Sequence, residues 1–159
     1  MKKALFFENA KLLTEKFSII PLMYGSLGLE YITGKSLDAD DIDILIPETF
    51  LNEHWSEFKS FLMDRGYILI DEHEHTFQKD DVFYSYASVE ELESFAGINI
   101  SDIRLVTNDD VQFSLLSLEQ YLTIYMASSK DGYRINVREK KDQEKIAFIE
   151  NQLNNKNLK

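Results

Sequence analysis

The sequence predicts an α+β domain: a mixed β-sheet with flanking helices and a short C-terminal helical tail. Three observations carry this expectation. Helical and strand patterns alternate through residue 71, two hairpin patterns follow, and helices close the chain. Residues 41–46, Asp-Ile-Asp-Ile-Leu-Ile, are apolar without a break after their acids, as in a strand buried on both faces. Turn and cap residues fall between these patterns rather than inside them. The 159 residues, 44% hydrophobic and 13% aromatic, suffice for one packed core. A single domain is expected over 1–153, with 154–159 as a fraying tail.

Residues 3–17 place Leu5, Phe6, Leu12, Leu13 and Phe17 near helical spacing. Strand one is expected over 19–24, with Pro21 keeping its start out of the ladder. A short helix over 27–32 stops at Gly34, and strand two covers 41–46 as far as Pro47. Residues 48–65 predict one long helix, with Phe50, Leu51, Trp55, Phe58, Phe61 and Leu62 in a stripe and Gly66 as its cap. Strand three begins over 67–71. Residues 76–79 and 82–87, around Asp80-Asp81, read as a hairpin. Ser88-Val89-Glu90-Glu91 fits a capping box, so Ser88 is expected to open a short helix ending at Gly97. Residues 103–107 and 111–115 form the second hairpin. Ser117-Leu118-Glu119-Gln120 is another capping box, opening a helix through Met126. A turn at Asp131-Gly132 and a helix over 138–153 complete the chain.

There is no cysteine, so disulfide frameworks and thiolate sites are excluded, in keeping with a cytoplasmic protein. The basic start Lys2-Lys3 leads into an apolar run that Glu8 ends too early for a signal sequence, and no run is long enough to span a membrane. A net charge of −11 argues against a long nucleic acid as partner. The charge is uneven: residues 129–159 hold eight of the 17 Lys and Arg but only five of the 28 acids. A small anion is the ligand that such a basic cluster suits.

The informative stretch is 23–46. An apolar approach runs into Gly25-Ser26, a short helix follows, and strand two opens with Asp41 and Asp43. Residues two apart on a strand share a face, so the two carboxylates point together while Ile42 and Ile44 point away. Paired hard oxygen ligands suit Mg²⁺, which keeps positions for water and phosphate oxygens. Gly25-Ser26, at a strand-to-helix turn, offers backbone N–H groups and a hydroxyl to phosphate. Gly28 is expected to allow close helix–strand packing, and Asp38 and Asp40 read as loop charges.

Gly25-Ser26-Leu27-Gly28, Thr33-Gly34-Lys35 and Asp40-Asp41-Ile42-Asp43, in this order and on these elements, resemble the nucleotidyltransferase superfamily that includes DNA polymerase beta. They look closest to the small antibiotic nucleotidyltransferases and their uncharacterised bacterial relatives. The resemblance implies a minimal nucleotidyltransferase-like core with no added substrate domain. It implies Mg²⁺-dependent transfer of a nucleoside monophosphate from an NTP, with ATP favoured, to a hydroxyl of a small molecule or protein. Asp41 and Asp43 would hold the metal and Gly25-Ser26 the triphosphate.

The resemblance also implies a third carboxylate inside a neighbouring strand. That position falls near Ser85, where this chain has no acid. Glu72 and Glu74 alternate onto one face just before, and Glu74 is the candidate third catalytic acid. Glu72-His73-Glu74-His75 also reads as a two-histidine metal site or as exposed hairpin residues. In the basic tail, Lys130 and Arg134 are the candidate nucleotide-binding cations, beside Tyr133, while Asp142 and Lys145 read as helix-face charges. Two alternatives to an active enzyme follow. One is an impaired relative that binds nucleotide or a protein partner. The other is an interaction module whose contact surface is the stripe around Trp55.

Overall fold

The computed structural model describes residues 1–129 and 137–157. Its strands are β1 (Leu22–Tyr24), β2 (Ile42–Ile46), β3 (Ile68–Asp71), β4 (Thr76–Lys79), β5 (Val82–Ser88), β6 (Arg104–Asn108) and β7 (Val111–Leu115). Its helices are α1 (Lys2–Phe17), α2 (Gly25–Thr33), α3 (Trp55–Met63), α4 (Glu91–Ala96), α5 (Leu118–Ser129) and α6 (Val137–Asn157). The seven strands make one mixed sheet in the order β3-β4-β5-β2-β1-β7-β6, giving the α+β class read from the sequence. β2 lies at its centre, antiparallel to β1 and parallel to β5.

The alternation of β2 divides the core in two. Ile42, Ile44 and Ile46 join Phe6, Leu13, Phe58, Phe61, Phe77, Tyr84 and Phe113 in a cluster under α1 and α3. Leu45 and Leu22 join Leu92, Tyr121, Ile124 and Ile149 in a second cluster under α4, α5 and α6. Asp43, between Ile42 and Ile44, therefore turns toward the side of α4, α5 and α6. The stripe of α3 belongs to the first cluster: Phe58 and Leu62 are buried and Trp55 packs against them. The apolar face proposed as a contact surface is thus occupied by the protein's own core.

Several element ends differ from the sequence reading, each for a local reason. β1 starts at Leu22 because Pro21 has no N–H to give the ladder; instead its carbonyl accepts from Ser114 N at 2.9 Å. α2 starts at Gly25, so Ser26 lies in its first turn. Residues 48–65 are not one helix: a 3₁₀ turn, Glu48–Leu51, is separated from α3 at Asn52, whose dihedrals (φ −122°, ψ −89°) are not helical. Gly66 takes φ +89° just after α3, as a C-terminal glycine should.

Ser88 does not cap a helix. It is the last residue of β5, buried and in register with Ile46, and Val89 N donates to Ile46 O at 2.9 Å. The β2–β5 ladder takes Ser88, and α4 begins three residues later. The second capping box does form: Gln120 N donates to Ser117 Oγ at 3.1 Å, and Ser117 N donates to Gln120 Oε1 at 2.9 Å. α6 runs on to Asn157, past residue 153.

Gly28 and Gly34 offer a test of this packing. A Cβ at Gly28 would collide with the Tyr121 hydroxyl and the Met23 carbonyl, whereas at Gly34 (φ +71°) nothing lies within 4 Å. Gly28→Ala should lower unfolding free energy by about 1–3 kcal/mol through overpacking and pull α2 from β1. Gly34→Ala should cost about 1–2 kcal/mol through backbone strain alone. Urea denaturation of both variants checks this. Equal losses, with an unshifted near-UV spectrum in each, would contradict the close α2–β1–α5 contact.

Candidate active site

The site is built where β1 ends. In the antiparallel β1–β2 ladder Tyr24 faces Asp43, so the chain must turn into α2 beside the Asp43 carboxylate. Only glycine fits at the next position: Gly25 has φ +63°, and a Cβ there would lie 2.5 Å from Asp43 Oδ2. The carboxylate and the first turn of α2 are therefore held against each other. That first turn has no side-chain cap. Its N–H groups and the partial positive charge of the helix start suit an anion.

Tyr121 of α5 braces the turn from behind. Its hydroxyl donates to Gly25 O at 3.1 Å, with Met23 O at 3.5 Å. Burial raises its pKa well above that of a free tyrosine, and the nearby tyrosines and Asp43 add to this, so the hydroxyl stays a donor. From α6, Lys145 Nζ donates to Ser26 Oγ at 3.1 Å across 119 residues of sequence. Lys145 is pulled below the ordinary lysine range by burial, with Glu30 and Glu144 opposing and Lys141 assisting.

These groups line one cavity of about 670 Å³. Its polar lining includes Gly25, Ser26, Asp40, Asp41, Asp43, Glu91, Lys141, Asp142 and Lys145. Asp41 sits one residue before β2 and is exposed. Partial desolvation of its carboxyl on the cavity side and then the charge of Asp40 push its pKa up, with Lys2 pulling back. A carboxyl so placed is one that a cation would help. Two carboxylates with a cradle kept free of a Cβ fit a hard divalent ion that shares its sphere with phosphate oxygens. Among the described residues no group of three or more His, Asp or Glu is arranged to hold a metal alone.

Asp41, Asp43, Gly25 and Ser26 are thus brought together. Glu74 is not: it lies exposed in the β3–β4 turn, its N–H donating to Asp71 Oδ1 at 3.1 Å, away from the cavity lining. Glu72 is taken by α3, accepting from Lys59 Nζ at 2.9 Å and Trp55 Nε1 at 3.2 Å. His75 packs edge-on to Trp55 at 4.7 Å, and its burial lowers its pKa, while His73 is exposed. Ser85 stands directly beside Asp43 in the parallel β2–β5 register, and its hydroxyl pairs with Thr76 Oγ1 at 2.9 Å. Lys130, Tyr133, Arg134 and the Asp131-Gly132 turn lie outside the described residues.

Several cavity residues escaped the sequence reading, Lys145, Asp142 and Glu91 among them. Lys145 and Asp142 are not solvated helix-face charges: Asp142 is buried and accepts from Ser128 Oγ at 2.7 Å. Glu91, at the start of α4, faces the cavity, while its neighbour Glu90 accepts from Glu48 N at 2.8 Å. The only sequence signal for the first two was the basic clustering of the tail.

No protein-family model matches the chain. It is 37% identical over 150 residues to the uncharacterised protein YnaI of Bacillus subtilis, covering 94% of this chain and 96% of that one. Among solved structures it is similar to an antigenic nucleotidyltransferase-like protein from Paracoccidioides brasiliensis, at a TM-score of 0.64 and 15% identity, over 92% of this chain and 74% of that one. It is similar to the lincosamide antibiotic adenylyltransferase LnuA, lincomycin-bound, at a TM-score of 0.57 and 16% identity, over 94% and 98% of the two chains. It is also similar to ANT(2'')-Ia in complex with adenylyl-2''-tobramycin, at a TM-score of 0.57 and 11% identity, over 96% and 90%. The fold is nucleotidyltransferase-like.

The lowered pKa of Lys145 makes a signed prediction. The folded protein releases this proton below the ordinary lysine range, so an anion held by Lys145 is gripped fully below the lowered pKa and progressively lost as pH rises through it. Over the same window the ligand-free fold gains stability, because the unfolded chain still holds the proton. Titration of ATP binding against pH should show this alkaline limb, and Lys145→Arg should move it upward. A limb unmoved by Lys145→Arg would remove Lys145 from the site.

Proposed function

We propose that this chain, which belongs to the family of the Bacillus subtilis protein YnaI, transfers a nucleoside monophosphate from an NTP to a hydroxyl of a small molecule or protein. ATP is the first nucleotide to test. The observation that carries this reading is one cavity shared by the Asp41–Asp43 pair, a helix N-terminus and the Ser26–Lys145 contact. That arrangement puts cation ligands and anion ligands side by side, which a bound metal–triphosphate requires.

Asp41 and Asp43 would hold Mg²⁺, which would neutralise charge on the triphosphate and on departing pyrophosphate. The first-turn N–H groups of α2, Ser26 and Lys145 grip the β- and γ-phosphates, with Lys141 nearby. Tyr121 holds the Gly25 carbonyl so that these N–H groups stay aimed inward. The acceptor oxygen attacks the α-phosphorus, the bond to the bridging oxygen breaks, and pyrophosphate leaves. Lincomycin, bound in one structural neighbour, and tobramycin, whose 2''-adenylyl derivative is bound in another, are the first acceptors to test.

The acceptor's proton needs a base, and Ser85 is not one. The Asp142 carboxylate is taken up with Ser128, and Asp40 adjoins the metal pair. Among the described residues Glu91 is the remaining carboxylate of the cavity, and we assign it this role in place of Glu74. The rival reading, a nucleotide-binding relative with little transfer, is favoured by Ser85 alone.

Replacing Asp41 and Asp43 together by Asn should abolish Mg²⁺-dependent ATP binding in calorimetry while the protein stays folded, since a close pair of like charges is relieved. Unchanged affinity in that variant would sink the metal site. For the base, Glu91→Gln should slow release of labelled AMP or its transfer to an acceptor by about 10²–10⁴-fold without weakening ATP binding. Ser85→Asp should restore rate in the Glu91→Gln background. A Glu91→Gln variant as fast as the natural protein would rule Glu91 out.

A further inference from the structure

A buried carboxylate in the cavity wall is left without a role by the transfer reading. Among the described residues Asp142, on α6, is the only buried acid, and its Oδ2 accepts from Ser128 Oγ of α5 at 2.7 Å. Both residues line the cavity that also holds Asp41, Asp43, Ser26 and Lys145. Ser128 departs from its neighbours in this. Hydroxyls in a helix commonly bond back to a carbonyl about one turn earlier. Two others in α5 do so: Thr123 Oγ1 donates to Glu119 O at 3.1 Å, and Ser129 Oγ donates to Met126 O at 2.9 Å. Ser128 gives its proton across the helix pair to a carboxylate instead. A short bond from hydroxyl to carboxylate is the arrangement in which a base prepares a nucleophile.

The pair sits beside the phosphate grip. Asp142 and Lys145 are three residues apart on α6, which makes their side chains neighbours, with Cβ atoms roughly 5–6 Å apart. Lys145 in turn reaches Ser26 on the far wall. A triphosphate held by Ser26 and Lys145 is thus carried to the side of the cavity on which the pair lies. α5 contributes to the same wall, since Tyr121 bonds the Gly25 carbonyl and Ser128 follows about two turns later on that face.

We propose that Ser128 is an acceptor within the chain itself: given Mg²⁺ and an NTP, the protein attaches a nucleoside monophosphate to Ser128, with Asp142 as the base. This rests on the nucleotidyl-transfer reading and adds a modification site to it. Ser128 Oγ attacks the α-phosphorus and its proton passes to the Asp142 carboxylate. The bond from the α-phosphorus to the bridging oxygen breaks, and pyrophosphate leaves with the electron pair. The product is a phosphodiester joining Ser128 to the nucleoside. It occupies the cavity that bound the NTP, so the reaction ends at one nucleotide per chain.

The test incubates the full natural chain with Mg²⁺ and ATP, labelled in separate samples at the α- or the γ-phosphate, with no acceptor added. The α-label should become bound to the protein, up to one AMP per chain, and the γ-label should not. Peptide mass spectrometry should place the AMP on Ser128, and Ser128→Ala should abolish it. Asp142→Asn keeps an oxygen for the Ser128 hydroxyl but removes the base. It should slow labelling by about 10²–10⁴-fold without weakening ATP binding in calorimetry. Mg²⁺-dependent ATP binding with no α-label on the chain would overturn the self-transfer and leave the transfer reading standing. So would label mapped to another residue, or Asp142→Asn labelled as fast as the natural chain, which means that the pair only ties α5 to α6. Label passed from the natural chain to one carrying Asp41→Asn and Asp43→Asn would refute transfer within a single chain. No ATP binding at all would sink the transfer reading, and this site with it.

Discussion

The contact between the Asp43 carboxylate and the backbone of Gly25 is the constraint on which the rest depends. The β1–β2 register sets Tyr24 against Asp43, and a side chain at Gly25 would strike the carboxylate. With the glycine in place, α2 starts beside the acid, and its first turn meets the same cavity. Every later feature secures that turn. Tyr121 bonds the Gly25 carbonyl, Gly28 lets α2 lie close to Met23 and Tyr121, and Lys145 bonds Ser26. A helix N-terminus and a carboxylate are attractive to opposite charges, so holding them together makes sense chiefly when a cation and an anion arrive together.

Electrostatics point the same way. In a chain of net charge −11, acids at the mouth of one cavity repel each other, and partial desolvation with Asp40 pushes Asp41 upward. Lys145, on the opposite wall, is pushed down by burial. Both charged forms are disfavoured in the ligand-free fold. On the proposed reading, a metal–triphosphate would bring a cation to the acids and an anion to Lys145 together, which is the condition for tight and salt-tolerant binding inside a cavity.

Much of this was legible in the sequence because it is local. The Asp-x-Asp strand, the Gly25-Ser26 turn, the Ser117 capping box and the Gly66 terminator each depend on neighbours a few residues away. Ser88 shows the limit: its capping-box pattern is sound, yet ladder pairing with Ile46 of a distant strand takes the residue first. Trp55 shows another, since a helix stripe reads alike whether it faces a partner or the protein's own core. Lys145 was illegible for a third reason. Periodicity gives a residue's face on α6 but not which element lies opposite, and Ser26 is 119 residues away. Ser85 is the converse case, a position found by resemblance whose geometry beside Asp43 follows from the β2–β5 register.

The most direct test is a crystal of the full chain grown with Mn²⁺ and a non-hydrolysable ATP analogue, with anomalous scattering to locate the metal. The account predicts Mn²⁺ bound by both Asp41 and Asp43, with triphosphate oxygens completing its sphere and contacting Ser26 and Lys145. An analogue bound elsewhere, or metal held without either aspartate, would contradict it.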